Sequence, residues 1–510
     1  MDATTRSVII GTEETIAALV EQVWVAAPGF RALGCIVADR CPAHTIGGLR
    51  VLGTIDDLAN IQSAVRFGVA VVSLPNAMTT SIARVRSILR EIGVSERVVP
   101  PLRELLASPG PVARASADIS LVDLIGREPY GMDRRAVASL LDSKRILITG
   151  AGGSIGSEIT RIAATFHPEL LIMMERSENA LFEIDRQVAR RFPNVPRKAL
   201  LHDVVDAEGT RRLVGELRPH VVFHAAAHKH VPLMEDHPAH AVNNNFFGTK
   251  SILDAAVRAR ADRFVLISSD KAVNPSSVMG ATKRLAEMYT QAVDAESRAH
   301  GGTRCASVRF GNVLGSACSV LPIWQSQLAE GGPLTVTDER MTRFFMTIHE
   351  AATLVIQSAA ITPDPARSPV FVLDMGEPIR ILDLAERFVR LHGLEPRTLR
   401  TTAPRLSTDP LPSLGTIDIQ ITGIRPGEKL HEELAYAAEN LVPTPHAGIR
   451  AWATEDRAPA ASEMVADLEA IRNCPDRRAV LAAIKRHVPH MKSDVYSYND
   501  SIMFVQLAAA

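Results

Sequence analysis

The feature of this 510-residue chain that most constrains its fold lies in residues 145–166, where an apolar run leads directly into a glycine-rich turn. Residues 145–149 have the composition of a buried parallel strand, and residues 157–166 have the apolar period of a helix. A glycine turn between them would bring a pyrophosphate close to the amides at the helix N-terminus. This order predicts a dinucleotide-binding unit rather than a turn that serves helix packing alone. The residues predicted to contact the pyrophosphate are Gly150, Gly153, Ser154, Ile155 and Gly156.

A carboxylate ends the next predicted strand, residues 170–175. Glu175 in that position would accept hydrogen bonds from the adenosine ribose hydroxyls and repel a 2′-phosphate, which favours NAD. Arg176 beside it would accommodate the phosphate, so NADP stays open. Further cofactor contacts are predicted near the ends of the next two strands, at Asp203, Val204, Ala225 and Ala226.

Strand-like and helical runs alternate along most of the chain, which predicts an α/β protein with two Rossmann-type doubly wound parallel sheets, the second carrying a C-terminal substrate-binding subdomain. The first unit has only Gly11 in its turn, followed by Glu13 and Glu14, which would repel phosphate, so it is predicted to be regulatory or structural. The predicted strands of the second sheet are 145–149, 170–175, 198–202, 220–225, 263–268 and 304–309. The predicted domains are a Rossmann-like unit (1–107), a linker (108–143), an NAD(P)-binding domain (144–310), a substrate-binding subdomain (311–450) and a helical C-terminal region (451–510).

The composition excludes several classes of protein. A net charge of −1 without a basic run gives no indication of nucleic-acid binding. The N-terminus has no signal-peptide core and no stretch of about 18 apolar residues occurs, so no membrane insertion is expected. The five cysteines are scattered without a Cys-x-x-Cys pair, which indicates a reducing compartment and no structural zinc site. We therefore expect a cytoplasmic protein.

Polar side chains follow the fourth and fifth predicted strands, at the edge where a parallel sheet binds its ligands. After the fourth strand, Lys229 and His230 are expected to shape the pocket; alternate histidines at 228 and 230 without a third ligand do not indicate a metal. In the helix predicted after the fifth strand, Met279 and Lys283 are four residues apart and therefore share a face. The residues after the fifth strand that suggest chemistry, rather than a loop that only caps this helix, are Ser269, Asp270 and Lys271.

Five motifs together resemble a known family. In chain order they are residues 150–158, 224–232, 269–275, 279–283 and 423–434. From about residue 5 to residue 450 the chain resembles the CapD-like polysaccharide-biosynthesis proteins, which are extended short-chain dehydrogenases/reductases acting as UDP-N-acetylglucosamine 4,6-dehydratases. The longer members begin with membrane helices that are absent here, so their membrane localisation is not carried over. Met279 occupies the place of the family's catalytic tyrosine, as in other longer-form dehydratases, so another group must take the proton from the carbon 4 hydroxyl.

The resemblance implies a tightly bound, recycled NAD, or NADP, that takes hydride from sugar carbon 4 and returns it to carbon 6 while water leaves across carbons 5 and 6. Lys271 and Asp270 match the family's acid/base positions. Lys271 would take the carbon 5 proton, so we expect burial or the nearby Lys283 to lower its pKa. Asp270 would protonate the leaving hydroxyl. Ser269 would bind the carbon 4 oxygen, and Lys283 would hold the nicotinamide ribose.

The nucleotide end of a UDP-sugar requires cationic forks for its diphosphate and a carboxylate for its ribose hydroxyls. The candidate substrate-binding residues are Lys229, His230, Arg309, Asn312, Arg343, Arg425 and Glu428. The charged ones could instead form surface ion pairs. The resemblance also implies a homo-oligomer. Two rival functions are a nucleotide-sugar 4-epimerase or reductase, and a catalytically silent NAD(P)-binding sensor.

Overall fold

A computed structural model describes residues 6–26, 32–38, 44–75, 78–99, 124–316, 319–361, 370–399, 416–425, 427–436, 440–452 and 461–492. The chain divides into two compact units, Met1–Ile119 and Ser120–Ala510. The predicted end of the first domain at residue 107, the first half of the predicted linker and the tail after residue 492 lie outside the described residues.

The first unit is a doubly wound α/β sheet. Its strands are β1 (Ser7–Gly11), β2 (Ala32–Val37), β3 (Thr45–Ile46), β4 (Leu49–Thr54), β5 (Val69–Ser73) and β6 (Ser95–Val98), and its helices are α1 (Glu13–Ala26), α2 (Leu58–Val65) and α3 (Thr79–Glu91). The strand order is β3-β4-β2-β1-β5-β6, and all pairs are parallel except the β3–β4 hairpin. Because α1 packs on one face of the sheet and α2 and α3 pack on the other, this half of the predicted fold class is confirmed.

The second unit contains the larger sheet and several small ones. Its strands are β7 (Arg145–Thr149), β8 (Leu170–Glu175), β9 (Arg197–Leu201), β10 (Val221–His224), β11 (Arg263–Ile267), β12 (Arg304–Arg309), β13 (Asn312–Leu314), β14 (Leu334–Val336), β15 (Thr342–Arg343), β16 (Phe345–Thr347), β17 (Val370–Leu373), β18 (Ile379–Arg380), β19 (Glu395–Leu399), β20 (Thr416–Ile421), β21 (Leu441–Pro443) and β22 (Ile449–Trp452). Its helices are α4 (Arg134–Leu141), α5 (Ser154–Ala164), α6 (Glu178–Arg191), α7 (Ala207–Leu217), α8 (Val231–Asp236), α9 (Pro238–Ala241), α10 (Gly248–Arg258), α11 (Val278–Ala299), α12 (Val320–Ala329), α13 (Ile348–Ala360), α14 (Ile381–Leu391), α15 (Ala461–Ala470) and α16 (Arg477–His487).

The larger sheet has the order β21-β22-β17-β12-β11-β10-β7-β8-β9. Strands β7 to β12 are the six predicted strands, and they are parallel, which confirms the Rossmann-type fold. Three more strands come from the chain after residue 311: β17 pairs parallel with β12, and β22 and β21 extend the edge in antiparallel pairs. Helices α4, α5, α6 and α13 cover one face, while α7, α10 and α11 cover the other.

The segment 124–143, which lies in the predicted linker, is part of the second unit and is bound to distant residues of that unit. Arg127 forms two hydrogen bonds with the buried Glu350, at 2.6 and 3.2 Å, and the Tyr130 hydroxyl donates to Asp374 at 2.7 Å. These partners lie more than 200 positions further along the chain, so no local pattern in the sequence reveals them.

Two helices end the described chain. Apolar side chains of α15 and α16 join the core that covers the α7/α10/α11 face of the larger sheet. The smaller sheets, β13-β16, β14-β20-β19 and β15-β18, lie within the predicted substrate-binding subdomain. Among the described residues there is no helix long and apolar enough to cross a membrane.

Candidate active site

The carboxyl ends of β7, β8 and β10 surround a cavity of about 270 Å³. Because β7 lies between β8 and β10, this is where the strand order reverses, the place at which open α/β sheets bind ligands. The lining residues are Gly150, Gly152, Gly153, Met174, Glu175, Arg176, Ala180, His202, Asp203, Val204, Ala225, Ala226, Ala227 and Asn244. Predicted cofactor residues from all four of the first strand ends therefore meet at one cavity, and Ser154, Ile155 and Gly156 follow in the first turn of α5.

Two glycines of the turn are required by close backbone contacts. Gly150 has a φ of +64°, and a side chain there would lie 2.7 Å from the amide nitrogen of Ala226. A Cβ at Gly156 would collide with the Gly150 carbonyl oxygen. Gly153 caps α5 without a side chain, so the first turn of the helix approaches the cavity as bare backbone. This arrangement fits a pyrophosphate group.

Glu175 fixes the turn as well as facing the cavity. One carboxylate oxygen accepts a hydrogen bond from the Gly152 amide at 3.2 Å, and the other accepts from the amides of Arg176 and Ser177 at 3.0 and 3.1 Å. The Arg176 guanidinium turns towards Asn244 at 3.2 Å. The cavity therefore has an acidic group on β8 and a cation already engaged by a neighbour.

An asparagine that sequence reasoning missed connects this cavity to the next part of the site. Asn245 lies in a π-helical turn, Val242–Phe247. Its amide nitrogen donates to the His228 carbonyl and to the Thr282 hydroxyl, both at 3.1 Å, and its oxygen accepts from the His228 amide at 2.8 Å. It thereby ties the loop after β10 to α11. The available signal in the sequence was the run of three asparagines at residues 243–245 inside an apolar helical stretch. In the structure this run lies in a π-helical turn, a feature that frequently marks functional sites.

Two histidines of the motif at residues 224–232 are held neutral. His224 is buried between the hydroxyls of Thr149 at 2.7 Å and Thr249 at 3.0 Å, and burial lowers its pKa to about 3. Burial and the Arg176 charge lower the pKa of His228 to about 4. These side chains are parts of hydrogen-bond networks at the strand ends.

Ser269, Asp270 and Lys271 come together where β11 ends. The chain forms a short 3-10 turn at Asp270–Ala272, with Ser269 as its N-cap. The fully buried Asp270 accepts hydrogen bonds on Oδ1 from the Ser269 hydroxyl at 2.8 Å and from Lys271 Nζ at 3.0 Å. Its Oδ2 is also buried and has no hydrogen-bond partner among the described residues. The three predicted residues therefore form one hydrogen-bonded group.

The expected lowering of the Lys271 pKa is wrong for this arrangement. Burial alone would lower it, but the carboxylates of Asp270 and Glu432, the latter at 3.5 Å, outweigh burial and raise the pKa above its ordinary value. Lys283 does not act on it as a like charge; its Nζ donates to the Ile267 carbonyl at 2.8 Å. Lys271 is therefore an ammonium group flanked by two carboxylates.

Met279 and Lys283 lie one turn apart in α11 and both are buried. Burial lowers the pKa of Lys283 to about 8. Met279 packs in the apolar core on the α7/α10/α11 face of the sheet. Lys283 thus provides an amine whose pKa is lowered, whereas Met279 has no proton to donate.

Arg309 and Asn312, two of the predicted substrate-binding residues, contact protein groups in this structure. Arg309 is fully buried, and its Nε and Nη2 each lie 2.7 Å from the Glu287 carboxylate, so the fork that a diphosphate needs is already filled. Asn312 instead accepts a hydrogen bond from Lys271 Nζ at 3.2 Å. Glu287 is on α11, 22 positions away, and a sequence alone does not pair such distant residues.

Arg343 is likewise occupied by protein groups. Its guanidinium donates to the carbonyls of Thr342, Lys429 and Leu430 at 2.7, 2.8 and 3.3 Å. A phosphate contact is therefore not what this arginine makes here. It holds the segment 427–436 beside the end of β11.

The same segment is fastened to the turn after β11 by two further contacts. Lys429 Nζ donates to the Val273 carbonyl at 2.7 Å, and the Tyr436 hydroxyl donates to the Ala272 carbonyl at 3.1 Å. This brings Glu432, which sequence reasoning did not single out, to Lys271.

The remaining candidates for the nucleotide end are closer to solvent. Arg425 is half-exposed, and its Nε lies 3.5 Å from the carboxylate of Glu428. Lys229 and His230 are exposed at the start of α8. These four side chains are placed where a ligand can reach them.

The sequence profile of a family described as "Polysaccharide biosynthesis protein" matches residues 146–453, which include the cofactor cavity, the Ser269–Lys271 group and the segment 427–436. The chain belongs to this family. The match covers more than half of the chain and leaves out the first unit and the helices α15 and α16.

Similar proteins carry the same description. EpsC of Bacillus subtilis, named a probable polysaccharide biosynthesis protein, is 40% identical over 408 residues, 79% of this chain and 64% of EpsC. The capsular polysaccharide biosynthesis protein CapD of Staphylococcus aureus is 38% identical over 387 residues, 76% of this chain and 60% of CapD. The chain therefore spans about six tenths of the length of these two relatives. The predicted CapD-like membership is confirmed.

Two further comparisons cover about six tenths of the chain. A UDP-N-acetylglucosamine 4,6-dehydratase (inverting) of Campylobacter jejuni is 32% identical over 296 residues, 58% of this chain and 78% of that protein. The solved structure of Pen from Bacillus thuringiensis superposes with a TM-score of 0.53 and 29% identity, covering 63% of this chain and 89% of Pen.

Proposed function

We propose that this protein is a UDP-N-acetylglucosamine 4,6-dehydratase that keeps a bound NAD and restores it in every turnover. The observation that carries the proposal is the hydrogen-bonded group Ser269–Asp270–Lys271 at the end of β11, beside the strand β10 whose end lines the cofactor cavity. Elimination of water needs an acid and a base close together, whereas hydride transfer alone does not. The similarity to the Campylobacter dehydratase supports the same reaction and substrate.

The cavity fits NAD. Gly150 and Gly156 keep side chains out of the turn where the pyrophosphate would lie, and the amides of α5 would bind its oxygens. The Glu175 carboxylate would bind the adenosine ribose hydroxyls. Arg176, the residue that would favour a 2′-phosphate, has Asn244 and Asp203 as neighbours at 3.2 and 3.8 Å. This supports NAD over NADP, and NADP is the alternative.

When bound, the nicotinamide supplies the hydride acceptor for sugar carbon 4 and the hydride donor for carbon 6. Lys283 would hold the nicotinamide ribose, and its amine, with a pKa of about 8, would favour loss of the carbon 4 hydroxyl proton. Ser269 would bind the carbon 4 oxygen. These roles do not require a proton from Met279.

Asp270 and Lys271 share the proton that elimination requires. Transfer of a proton from Lys271 to Asp270 across their 3.0 Å contact leaves a neutral amine and a protonated carboxyl. The amine takes the carbon 5 proton, and the electrons of that C–H bond form the carbon 5–carbon 6 double bond. Asp270 protonates the carbon 6 oxygen, which leaves as water with the electrons of the C–O bond. Lys271 would return the proton to carbon 5 as carbon 6 receives its hydride, and the proton lost from the carbon 4 hydroxyl would then restore the Lys271 ammonium.

The nucleotide end of the substrate would be bound by exposed polar groups. Arg425 is the candidate for the diphosphate and Glu428 for the uridine ribose, with Lys229 and His230 on the opposite loop. Asn312 remains a candidate through its amide nitrogen, whereas Arg309 and Arg343 are left out because protein groups already occupy their guanidinium groups.

The test is to incubate the purified protein with UDP-N-acetylglucosamine without added cofactor, and to compare it with Lys271→Met. Wild-type protein should form a product that has lost one water and carries a new carbon 6 methyl group. Lys271→Met should lose about 10²- to 10⁴-fold in rate, the usual contribution of a general acid or base, while its bound NAD content is unchanged. Lys198→Met, at an exposed position on β9, is the matched control and should be as active as the wild type.

Two results would contradict the proposal. An isomer of the substrate without loss of water would indicate a 4-epimerase. An unchanged sugar, even after NAD or NADP is added, would indicate another substrate or a silent cofactor-binding protein.

A further inference from the structure

A second buried carboxylate faces Lys271 from the segment 427–436. Glu432 has 3% of its side chain exposed, and its Oε1 lies 3.5 Å from Lys271 Nζ and 3.8 Å from the Nε of Arg343. Its Oε2 is buried and finds no hydrogen-bond donor in the described part of the chain. Buried carboxylate oxygens are normally hydrogen-bonded, since their desolvation is costly. A buried carboxylate with a purely structural role would normally have both oxygens hydrogen-bonded. The unbonded Oε2 therefore points to a role for Glu432 that depends on its charge beside Lys271.

The charged groups around Lys271 come from three segments. Asp270 is on the same turn, Glu432 and Lys429 are on the segment 427–436, and Arg343 is on β15. The two cations are fastened to backbone carbonyls, Arg343 to those of residues 342, 429 and 430 and Lys429 to that of Val273. The two carboxylates are the groups at ion-pair distance from the ammonium, at 3.0 and 3.5 Å.

We propose that Glu432 is a positioning residue of the acid/base pair, and that its charge keeps the proton on Lys271 in the resting enzyme. This inference rests on the proposed dehydratase function for its meaning, but not for its test. Elimination requires the proton to move from Lys271 to Asp270, and a second carboxylate beside the ammonium opposes that move. Glu432 thus decides how readily the pair reaches its reactive form.

Removing the charge of Glu432 should lower the pKa of Lys271. Replacing Glu432 by glutamine removes one negative charge next to Lys271, so the ammonium is favoured less and the pKa of Lys271 falls. A single opposite charge at this distance typically changes a pKa by about 1 unit or more. The limb of the pH–rate profile that Lys271 sets therefore moves to lower pH in Glu432→Gln. The direction is the same for the acidic limb that a general base produces and for the alkaline limb that a general acid produces.

The first experiment measures the pKa of Lys271 directly in the full chain, by trace labelling with acetic anhydride from about pH 8 to about pH 12, a range that extends well above the ordinary lysine pKa, and mass spectrometry of the Lys271 peptide. We expect Glu432→Gln to lower this pKa by about 1 unit, and Glu432→Asp, which keeps the charge, to leave it near the wild-type value. The matched control is Glu433→Gln. The Glu433 side chain is 52% exposed and binds Asn274 at 2.9 Å, so its removal should leave Lys271 unchanged.

The second experiment is the pH dependence of kcat for the same variants. The limb set by Lys271 should move to lower pH in Glu432→Gln and stay in place in Glu433→Gln. An unchanged Lys271 pKa in a folded, cofactor-containing Glu432→Gln protein would overturn the inference. Failure of the wild type to dehydrate its substrate would overturn the proposed function instead, and the labelling result would still decide the role of Glu432.

Discussion

Lys271 and Lys283 both lie near the carboxyl end of β11, but their surroundings change their pKa values in opposite directions. Lys271 has two carboxylates beside it, so its pKa is raised. Lys283 is buried, its Nζ donates to the Ile267 carbonyl, and burial lowers its pKa to about 8. One side chain keeps a proton in the resting state, and the other exchanges one near neutral pH.

The lowered pKa of Lys283 makes stability depend on pH. An unfolded lysine titrates near 10.5, so between the two pKa values the unfolded chain binds more protons than the folded one. The cost of burying a charged Lys283 is absent only above the unfolded pKa. The free energy of unfolding therefore decreases as pH falls from there through about 8. In the cofactor-free protein, the free energy of unfolding of wild type relative to Lys283→Met should rise by roughly 2–3 kcal/mol from about pH 7 to about pH 10.

Urea denaturation at several pH values measures this difference. Lys198→Met, which changes an exposed lysine, is the control and should follow the wild-type pH dependence. A constant difference between wild type and Lys283→Met over the whole range would show that Lys283 titrates normally.

At this scale the sequence predicts residues that act where a strand ends, but not residues whose partner is distant. Ser269, Asp270 and Lys271 are neighbours in the chain, so their grouping is readable from the sequence. Arg309 had the right chemistry for a diphosphate, yet Glu287 on α11 binds it. Glu432 was missed because its role depends on its contact with Lys271, which lies far earlier in the chain.

At the scale of elements, the helices α15 and α16 support the start of α11. Arg477 on α16 lies 2.9 Å from the Glu235 carboxylate, and the other oxygen of Glu235 accepts a hydrogen bond from the Val278 amide at 2.6 Å. Val278 is the first residue of the helix that carries Met279 and Lys283. The C-terminal helices, which lie outside the family match, thus contact α11.

Removing the Arg477 charge should destabilise the protein through this contact. Glu235 has 6% of its side chain exposed, so Arg477→Ala leaves a buried carboxylate without its cation. Because Arg477 itself is about one quarter exposed, we expect a loss of about 1–3 kcal/mol rather than the full cost of a broken buried pair. Chemical denaturation measures this loss.

The double variant Arg477→Ala/Glu235→Gln provides the control. Glutamine keeps an oxygen for the Val278 amide but has no charge to bury, so the double variant should be more stable than Arg477→Ala. Equal stability of the two variants would show that the buried charge of Glu235 is not the reason for the loss.

The six parallel strands of the larger sheet were predictable because each is a short apolar run followed by a helical period. The strands β17, β22 and β21 were not, since they join the sheet from a region broken by loops and long sequence separations. The segment 124–143 was predicted to be a linker because its attachments depend on distant parts of the chain: Arg127 and Tyr130 bind residues more than 200 positions away, and the short helix α4 packs in the core beside the larger sheet.

At the scale of the whole molecule, each of the two units has its own sheet with a core on both faces. All residues argued here to bind cofactor or to transfer protons belong to the second unit, which also contains the whole family match. The proposed reaction therefore makes no use of a side chain from the first unit.

In the proposed reaction, hydride moves within a single sugar molecule from carbon 4 to carbon 6 by way of one bound cofactor, and water is lost between the two transfers. The most direct test is to give the enzyme a mixture of unlabelled UDP-N-acetylglucosamine and the same compound deuterated at carbon 4 and carrying ¹³C in the sugar, and to analyse the product by mass spectrometry and NMR. We predict deuterium in the carbon 6 methyl group of the ¹³C-labelled product alone. Deuterium in unlabelled product or in free NADH, or retained at carbon 4, would contradict it.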